Sequence, residues 1–564
     1  MKSSRVLLAG CLIAWWLTAA SAHANTITVT NTNDMGPGSL RQAIADANDG
    51  DTINAKDVSG SIQLTTGELL LNKNVTINGP GAEKLSVENT QSSRVFEVAS
   101  DKIVAISGLA INSGEAVVGG GIYNAGTLEI LRCTISGNQA VRVREPGLGG
   151  GIYNASGAEI NMVDSIINDN SADEGGGIYN AGSMQIARTT VSGNVVGGAF
   201  LQLTSLGGGI CNRGTLNILN STITSNTASV SLQNGGVGGG IFNGATLSIA
   251  NSTISDNGAG STGAFASYGG GIANGSGNTV IRSSTINGNT AGGPGASGFG
   301  GNIFMVKGTL ELGSTILNAG SGGNIFNFDN QGTIISDGYN LSSDDGAGYL
   351  SAAGDQVNAD PRLGPLQDNG GRTFTHALLA DSPAIDAGNL NYNPNNFQPQ
   401  LIYDQRGVRF DRVKNGRSDI GAFEVQAPSV RPTPPPTPPP SPTPPPPSPS
   451  PTTPPPSPSP TPPPPSPSPT ENPRELAIEK IRRDIRFTRT ALRELNGTTS
   501  VPPSLFTWLK VRLRVLNARL AYPLDEALAQ IDRQLLNNGP MSEASRRNLL
   551  RRLNDRLNTL RNGG

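Results

Sequence analysis

A glycine-rich hexapeptide returns seven times in this chain, about thirty residues apart, and the apolar residues between copies alternate with period two. Two columns of asparagine keep a constant place within each copy. A fixed period of this size marks a stacked solenoid, and period-two alternation marks strands. These observations predict an all-β fold: a right-handed parallel β-helix (solenoid) with an N-terminal helical cap, followed by a Pro-rich linker and a small all-α bundle. The expected division is a signal peptide over 1–24, the β-helix over 25–359, a C-terminal part of it over 360–426, the linker over 427–473 and a basic helical bundle over 474–564.

The first segment reads as an export signal. Lys2 and Arg5 precede an apolar run over 6–17, and Ala22-His23-Ala24 forms a small-residue cleavage site. The run is shorter than a membrane span requires. The mature protein is therefore expected to start at Asn25, outside the cytoplasm. Of the 3 cysteines, Cys133 and Cys211 then remain. They lie three repeats apart, ~14 Å at one strand spacing per coil, which is too far to bridge.

The hexapeptide reads GGGIYN at 119, 149 and 175, GGGICN at 207, GGGIFN at 238, GGGIAN at 269 and, degraded, GGNIFM at 300. Residues 119–138 serve as the repeat unit. They hold three short extended pieces, around Ile122, around Leu128 and Ile130, and around Ile135, separated by Gly and Asn. Three strands and three turns make one coil, which buries its apolar face only when stacked. One asparagine column runs Asn124, Asn154, Asn180, Asn212, Asn243, Asn274; the other runs Asn138, Asn170, Asn194, Asn226, Asn257, Asn289. Asn tolerates tight turns, and stacked amides bond from coil to coil, so these are structural ladders. After the second column come inserts of variable length (139–148, 171–174, 195–206, 261–268, 290–299). Such inserts gather on one flank, often the recognition surface.

Further coils are expected around 75–77, 95–98 and 103–111, and one or two more over 323–341. Ten or so coils would make a rod of ~50 Å. The open end needs a cover. Ser39 is a suitable N-cap for a short helix whose stripe of Leu40, Ala43, Ile44 and Ala47 would lie over the first coil.

Beyond the solenoid, 428–473 is almost only Pro, Ser and Thr, a polyproline II spacer of ~140 Å when extended. Its Ser and Thr offer sites for O-linked sugars. The last segment carries four amphipathic helical patterns, which suggests an antiparallel bundle. From residue 474 onward 18 Lys and Arg stand against 9 Asp and Glu, whereas the rest of the chain holds 23 against 34. The formal net charge of −2 thus hides a basic tail on an acidic body.

Three segments resemble a group of exported bacterial β-helix proteins. Residues 36–44 (GPGSLRQAI) resemble the N-terminal CSLREA-type segment, with Gly38 where that motif has Cys. The GGGIYN units resemble repeats of the polymorphic outer-membrane-protein and pectate-lyase-like families. The run of DPRLGPLQDNGG from Asp360, THAL from Thr375, SPAIDAGN from Ser382, DQRG from Asp404 and DIGAFE from Asp419 is similar to the choice-of-anchor Q domain. The resemblance covers about 25–425. It implies a surface or secreted protein whose anchor varies between members, and no agreed activity.

Candidate site residues are few. A calcium-dependent lyase needs clustered carboxylates and an Arg or Lys base, and a glycosidase needs two facing carboxylates. The densest acidic group is Asp164, Asp169, Asp173 and Glu174, with Arg188 one coil away; a solvated turn reads the same. His376 is the one histidine of the mature chain. Asp386, Asp404, Arg406, Asp419 and Glu424 are near it in sequence. They fit either an ion-pair network that closes the rod or a Ca²⁺ site on Asp386, Asp404 and Asp419. Arg546, Arg547, Arg551 and Arg552 fit either a solvated helix face or a site for an envelope polyanion such as lipopolysaccharide. The sequence holds no P-loop, dinucleotide fingerprint or zinc pair, and nothing in it calls for nucleic acid or an organic cofactor. The function expected is adhesion or polysaccharide binding through the inserts. A polysaccharide lyase or glycoside hydrolase and a structural coat protein are the alternatives.

Overall fold

The computed structural model describes residues 24–426, apart from 142–144, 198–204, 231–234, 262–265, 294–296 and 395–399. Residues 1–23 of the expected signal, the spacer and the basic bundle with its four arginines lie outside the described residues.

The described chain is a parallel β-helix. Its strands stack into sheets of 10, 12, 11 and 7 strands, and each strand neighbours the equivalent strand of the next coil. One coil runs through Ile122–Asn124 (sheet 1), Thr127–Leu131 (sheet 2), Thr134–Ser136 (sheet 3) and Gln139–Ala140 (sheet 4). The fourth strand corrects the three-strand coil read from the sequence. It is the beginning of the insert, and its inward residue is small: Ala140, Ala172, Val196, Ala228, Ala259 and Ala291 are all buried. A two-residue strand is too short to carry a visible alternation.

Register places like on like. Ile122 pairs with Ile152, Ile178 and onward to Ile325, and Leu128 and Ile130 belong to two further columns of the core. Parallel stacking over 12 coils at one strand spacing gives a rod of about 50 Å. The hexapeptide glycines have separate steric reasons. Gly119 has φ +61°, and a Cβ there would stand 2.3 Å from Ile122 O. A Cβ on Gly120 would meet Gln139 O at 2.3 Å, and one on Gly121 would meet Gly151 O at 2.6 Å. Three consecutive positions therefore exclude any side chain.

The two asparagine columns lie inside the corners, fully buried. Asn124 Nδ2 donates to Asn154 Oδ1 at 2.9 Å, and the chain of amides continues to Asn274 at 2.8 Å per step. In the second column each side-chain oxygen from Asn170 to Asn289 accepts from both the amide nitrogen and the backbone N–H of the Asn one coil before it. Asn170 N to Asn194 Oδ1 is 3.1 Å and Asn170 Nδ2 to the same oxygen is 2.9 Å. The degraded hexapeptide has its explanation here. The third glycine of each unit faces an Asn amide, as Gly271 faces Asn289. Asn302 replaces that glycine and passes the column on, accepting from Asn289 at 2.9 Å and donating to Asn324 at 2.7 Å. A third column, not read from the sequence, joins Ser165, Thr189, Ser221, Ser252 and Ser284, each hydroxyl accepting from the backbone of the coil before. Cys133 stands at the head of this column, and Cys133 and Cys211 are both free and buried.

Helix α1 (Leu40–Asp46) is capped by Ser39, whose hydroxyl accepts from Gln42 N at 3.1 Å. Leu40, Ala43, Ile44 and Ala47 join the core above the first coils. The other end is closed by Leu350 and Tyr349, which pack on the last coil. Residues 360–426 therefore do not close the end of the rod, as the sequence reading had them. They form a hairpin of Leu363–Gln367 and Thr375–Leu378 and then an irregular wrap that lies along the outside of sheet 3. Thr222 Oγ1 donates to Phe374 O at 2.7 Å, Thr253 Oγ1 to Gln405 Oε1 at 2.6 Å, and Thr285 Oγ1 accepts from Ala422 N at 3.0 Å. A small second core of Ile316, Leu341, Leu378, Ala384, Ile420 and Phe423 seals the wrap to the last coils. No helix among the described residues is long and apolar enough to cross a membrane.

The second asparagine column supplies a stability test. Asn194→Ala leaves the buried Asn170 N–H without its acceptor, which costs about 1–3 kcal/mol. Gln185→Ala, on the exposed face of sheet 2, is expected to stay within about 0.5 kcal/mol of wild type. Urea midpoints of the full chain compare the two, and equal shifts would refute a supporting role for the column.

Candidate functional site

The acids singled out in the sequence do not converge. Asp164 turns the corner between sheets 2 and 3 at φ +51°, and Asp169 turns the next corner at φ +57°. Arg188, directly above Asp164, pairs with it at 2.7 Å. Asp173 accepts from Gly147 N at 2.8 Å, and Glu174 faces Arg213 at 3.5 Å. These residues occupy separate corners of one coil, so closeness in sequence became separation around its perimeter. Among the described residues, the one group of three His, Cys, Asp or Glu side chains with ligand atoms within 4.8 Å of one another is Asp386, Asp419 and Glu424.

That group belongs to the wrap. Asp419 accepts from Asp386 N at 2.7 Å and Val425 N at 2.6 Å, and Glu424 accepts from Asp419 N at 2.8 Å and Lys414 N at 3.1 Å. Burial, with Asp419 beside it, pushes the Glu424 carboxyl up to about 8. Burial raises Asp419 as well. Arg412, 1% exposed, lies against them and donates to Asp419 O and Gly421 O at 2.8 and 2.7 Å. Its guanidinium already supplies the positive charge that an ion would bring, so the cluster reads as a structural network. Asp404 is not part of it. Its carboxylate pairs with Arg406 at 2.6 Å, and the Arg406 guanidinium is held between the Phe410 and Phe423 rings at 3.9 and 3.8 Å. The ligand set Asp386, Asp404 and Asp419 is thus corrected to Asp386, Asp419 and Glu424. His376, on the wrap, meets Ser255 Oγ at 2.9 Å, but both are buried between the wrap and the coils, so that hydroxyl does not face solvent.

The surface with the most chemistry to offer a ligand is the outer face of sheet 1. The middle letter of each IYN-type strand points outward, because Ile and Asn on either side point in. Register then stacks Tyr123, Tyr153, Tyr179, Cys211, Phe242, Ala273, Phe304 and Phe326 in one column. The first three rings are 5.4 and 5.3 Å apart, with interplanar angles of 4° and 9°. Arg94 covers the free face of Tyr123 at 5.0 Å, and Arg213 covers Phe242 at 4.9 Å. The ring faces are thereby used up, and the edges and phenolic hydroxyls remain. None of the three hydroxyls bonds another described residue, and all three side chains are partly buried rather than covered. The column lies beside the edge where the inserts return, through Leu148, Glu174, Leu206, Val237 and Tyr268. Arg94 pairs with Glu68 and Glu97, so its charge is spent locally.

The fold is similar to the crystal structure of pectate lyase Pel9A, at 17% sequence identity and a TM-score of 0.38, over 71% of this chain and 96% of that one. At this identity and score the likeness supplies no activity, substrate or site residue. No protein-family model matches the chain. No curated protein matches it either.

The tyrosine column escaped the sequence reading although its signal was present. The glycines and asparagines of the hexapeptide are its constant letters, and the letter between Ile and Asn varies. Period-two alternation puts that letter outside.

The wrap's carboxyls generate a pH prediction. Glu424 has a folded value of about 8 against 4.5 unfolded, so its contribution is complete below 4.5 and is lost as pH rises through 8. Amide exchange of the wrap, corrected for intrinsic rates, is expected to quicken across that window in the full chain. Glu424→Gln, weaker at every pH, is expected to have lost this slope. An unchanged slope in the variant would assign the effect elsewhere.

Proposed function

We propose that this is an exported, rod-shaped binding module that lays an extended polysaccharide along sheet 1. The observation that carries the reading is the axial row of Tyr123, Tyr153 and Tyr179. Their hydroxyls are held at one coil spacing by ring stacking and bond no described residue. A polyol chain lying along the axis would meet a repeated donor and acceptor at each coil, and the rings are already ordered, so little entropy is lost on binding. The inserts beside the row supply the variation that would distinguish one ligand from another. Because Arg94 and Arg213 are each paired with Glu, a neutral chain suits the row better than an acidic one. Export, attachment through the proline-rich spacer, and contact of Arg546, Arg547, Arg551 and Arg552 with an envelope polyanion belong to the same reading.

Full chain passed over immobilised neutral and acidic polysaccharides, with retention and new chain ends both followed, tests it. Retention with intact chains is the expected result. Tyr153→Phe keeps the ring stack and removes one hydroxyl, and should weaken retention about three- to tenfold. Tyr153→Ala should weaken it further. New chain ends would overturn the binding reading in favour of a polysaccharide lyase or hydrolase. Ordered self-assembly without retention would favour a coat protein.

A further inference from the structure

The outward column of sheet 3 divides in two. Thr222, Thr253 and Thr285 lie under the wrap and are at most 2% exposed. Thr134, Ile166 and Thr190 continue the same column in register, yet they stand uncovered, with Ile166 45% exposed. The wrap therefore ends part-way along a continuous face, and one buried imidazole sits where it grips the coils.

His376 is 4% exposed, and each of its nitrogens has an assigned role. Nδ1 is 2.7 Å from Gly364 O, and a carbonyl only accepts, so Nδ1 carries a proton. Nε2 is 3.2 Å from Asn287 Nδ2 and 2.9 Å from Ser255 Oγ. The Asn287 amide is oriented independently: its Oδ1 accepts from Asn318 Nδ2 at 2.8 Å, which turns its own N–H groups toward the ring. Nε2 must therefore accept, and the docked imidazole is neutral.

The geometry points to a pH-operated latch: neutral His376 holds the wrap on sheet 3, and a proton on Nε2 loosens the wrap and uncovers the threonine column. The added N–H would face the N–H of Asn287. Its one acceptor there would be Ser255 Oγ, whose hydroxyl already donates to Asp256 Oδ2 at 3.0 Å. Asp256 is the charged group that acts on the ring through space, and it eases protonation. Burial outweighs it and keeps the imidazole below its ordinary value. The peeled state thus takes up its proton near 6.5 while the docked state resists, so docking weakens as pH falls below 6.5. Glu424, Asp419 and Asp404 act in the opposite sense, since burial raises each of them. The latch is therefore read as a difference between variants.

Hydrogen exchange of the full chain at pH about 7.5 and about 5, corrected for intrinsic rates, decides the matter. In wild type, the amides of Leu363–Gln367 and Thr375–Leu378 should lose protection several-fold more on acidification than in His376→Gln. Asn287→Asp keeps the acceptor for Asn318 and places a carboxylate against Nε2. It should hold or gain protection at the acid value. Should His376→Gln fail to dock, Asn287→Asp against wild type still gives the answer. The same pH dependence in wild type and in the Asp variant would overturn the latch.

Discussion

Each coil of this protein is positioned by backbone hydrogen bonds to the coils before and after it, and those bonds permit one register. Like residues are consequently stacked on like for some 50 Å. That constraint produces the isoleucine columns of the core. It also brings Asn amides to within 2.7–3.0 Å of one another along a buried corner, where each must donate to one neighbour and accept from the next. A buried amide without such a partner would be costly, and the stack supplies one at every level. The three glycines per unit answer to crowding of the same kind: a carbonyl of their own coil fills the side-chain volume at Gly119 and Gly120, and one of the next coil does so at Gly120 and Gly121.

Once the interior is fixed, the exterior is a set of faces with different fates. Sheet 2 presents a polar, open surface through Glu129, Asn161 and Gln185. Sheet 3 is half covered by the wrap. Sheet 1 presents the aromatic column, where stacking consumes the ring faces and leaves hydroxyls outward. The solenoid repeats any outward letter along its axis, so a single tyrosine becomes a row. A row suits a polymer better than it suits a small molecule.

The wrap is held by a different kind of chemistry. Its grip on the coils consists of hydroxyl and amide bonds plus one neutral histidine, and its internal order rests on the Asp404–Arg406 pair, on buried carboxylates that accept from backbone N–H groups, and on Arg412, which donates to backbone carbonyls. Burial pushes the acids up and the histidine down, since in both cases the charged form loses water. The two sets respond to pH in opposite directions. The wrap thus brings buried acids and a buried histidine together in one segment.

The sequence by itself determined three of the coil's four strands, its period, the two asparagine ladders, the glycine corners and the helix that caps the first coil. Each depends on neighbours in the chain or on an exact repeat, and a repeat makes the long-range partner of every residue a copy of itself. Asp169 and Asp173, four residues apart, do not meet, because a coil bends the chain so sharply that near neighbours face different sides. Only the tertiary structure decided that Glu424 rather than Asp404 joins Asp386 and Asp419, and that residues 360–426 lie along sheet 3 rather than across the end. Those contacts join Thr253 to Gln405 and Asn251 to Tyr403 across 152 residues, between a periodic segment and an aperiodic one. No periodicity relates the two, so the docking is set by the shape and hydrogen-bonding of surfaces that exist only after the coils have stacked.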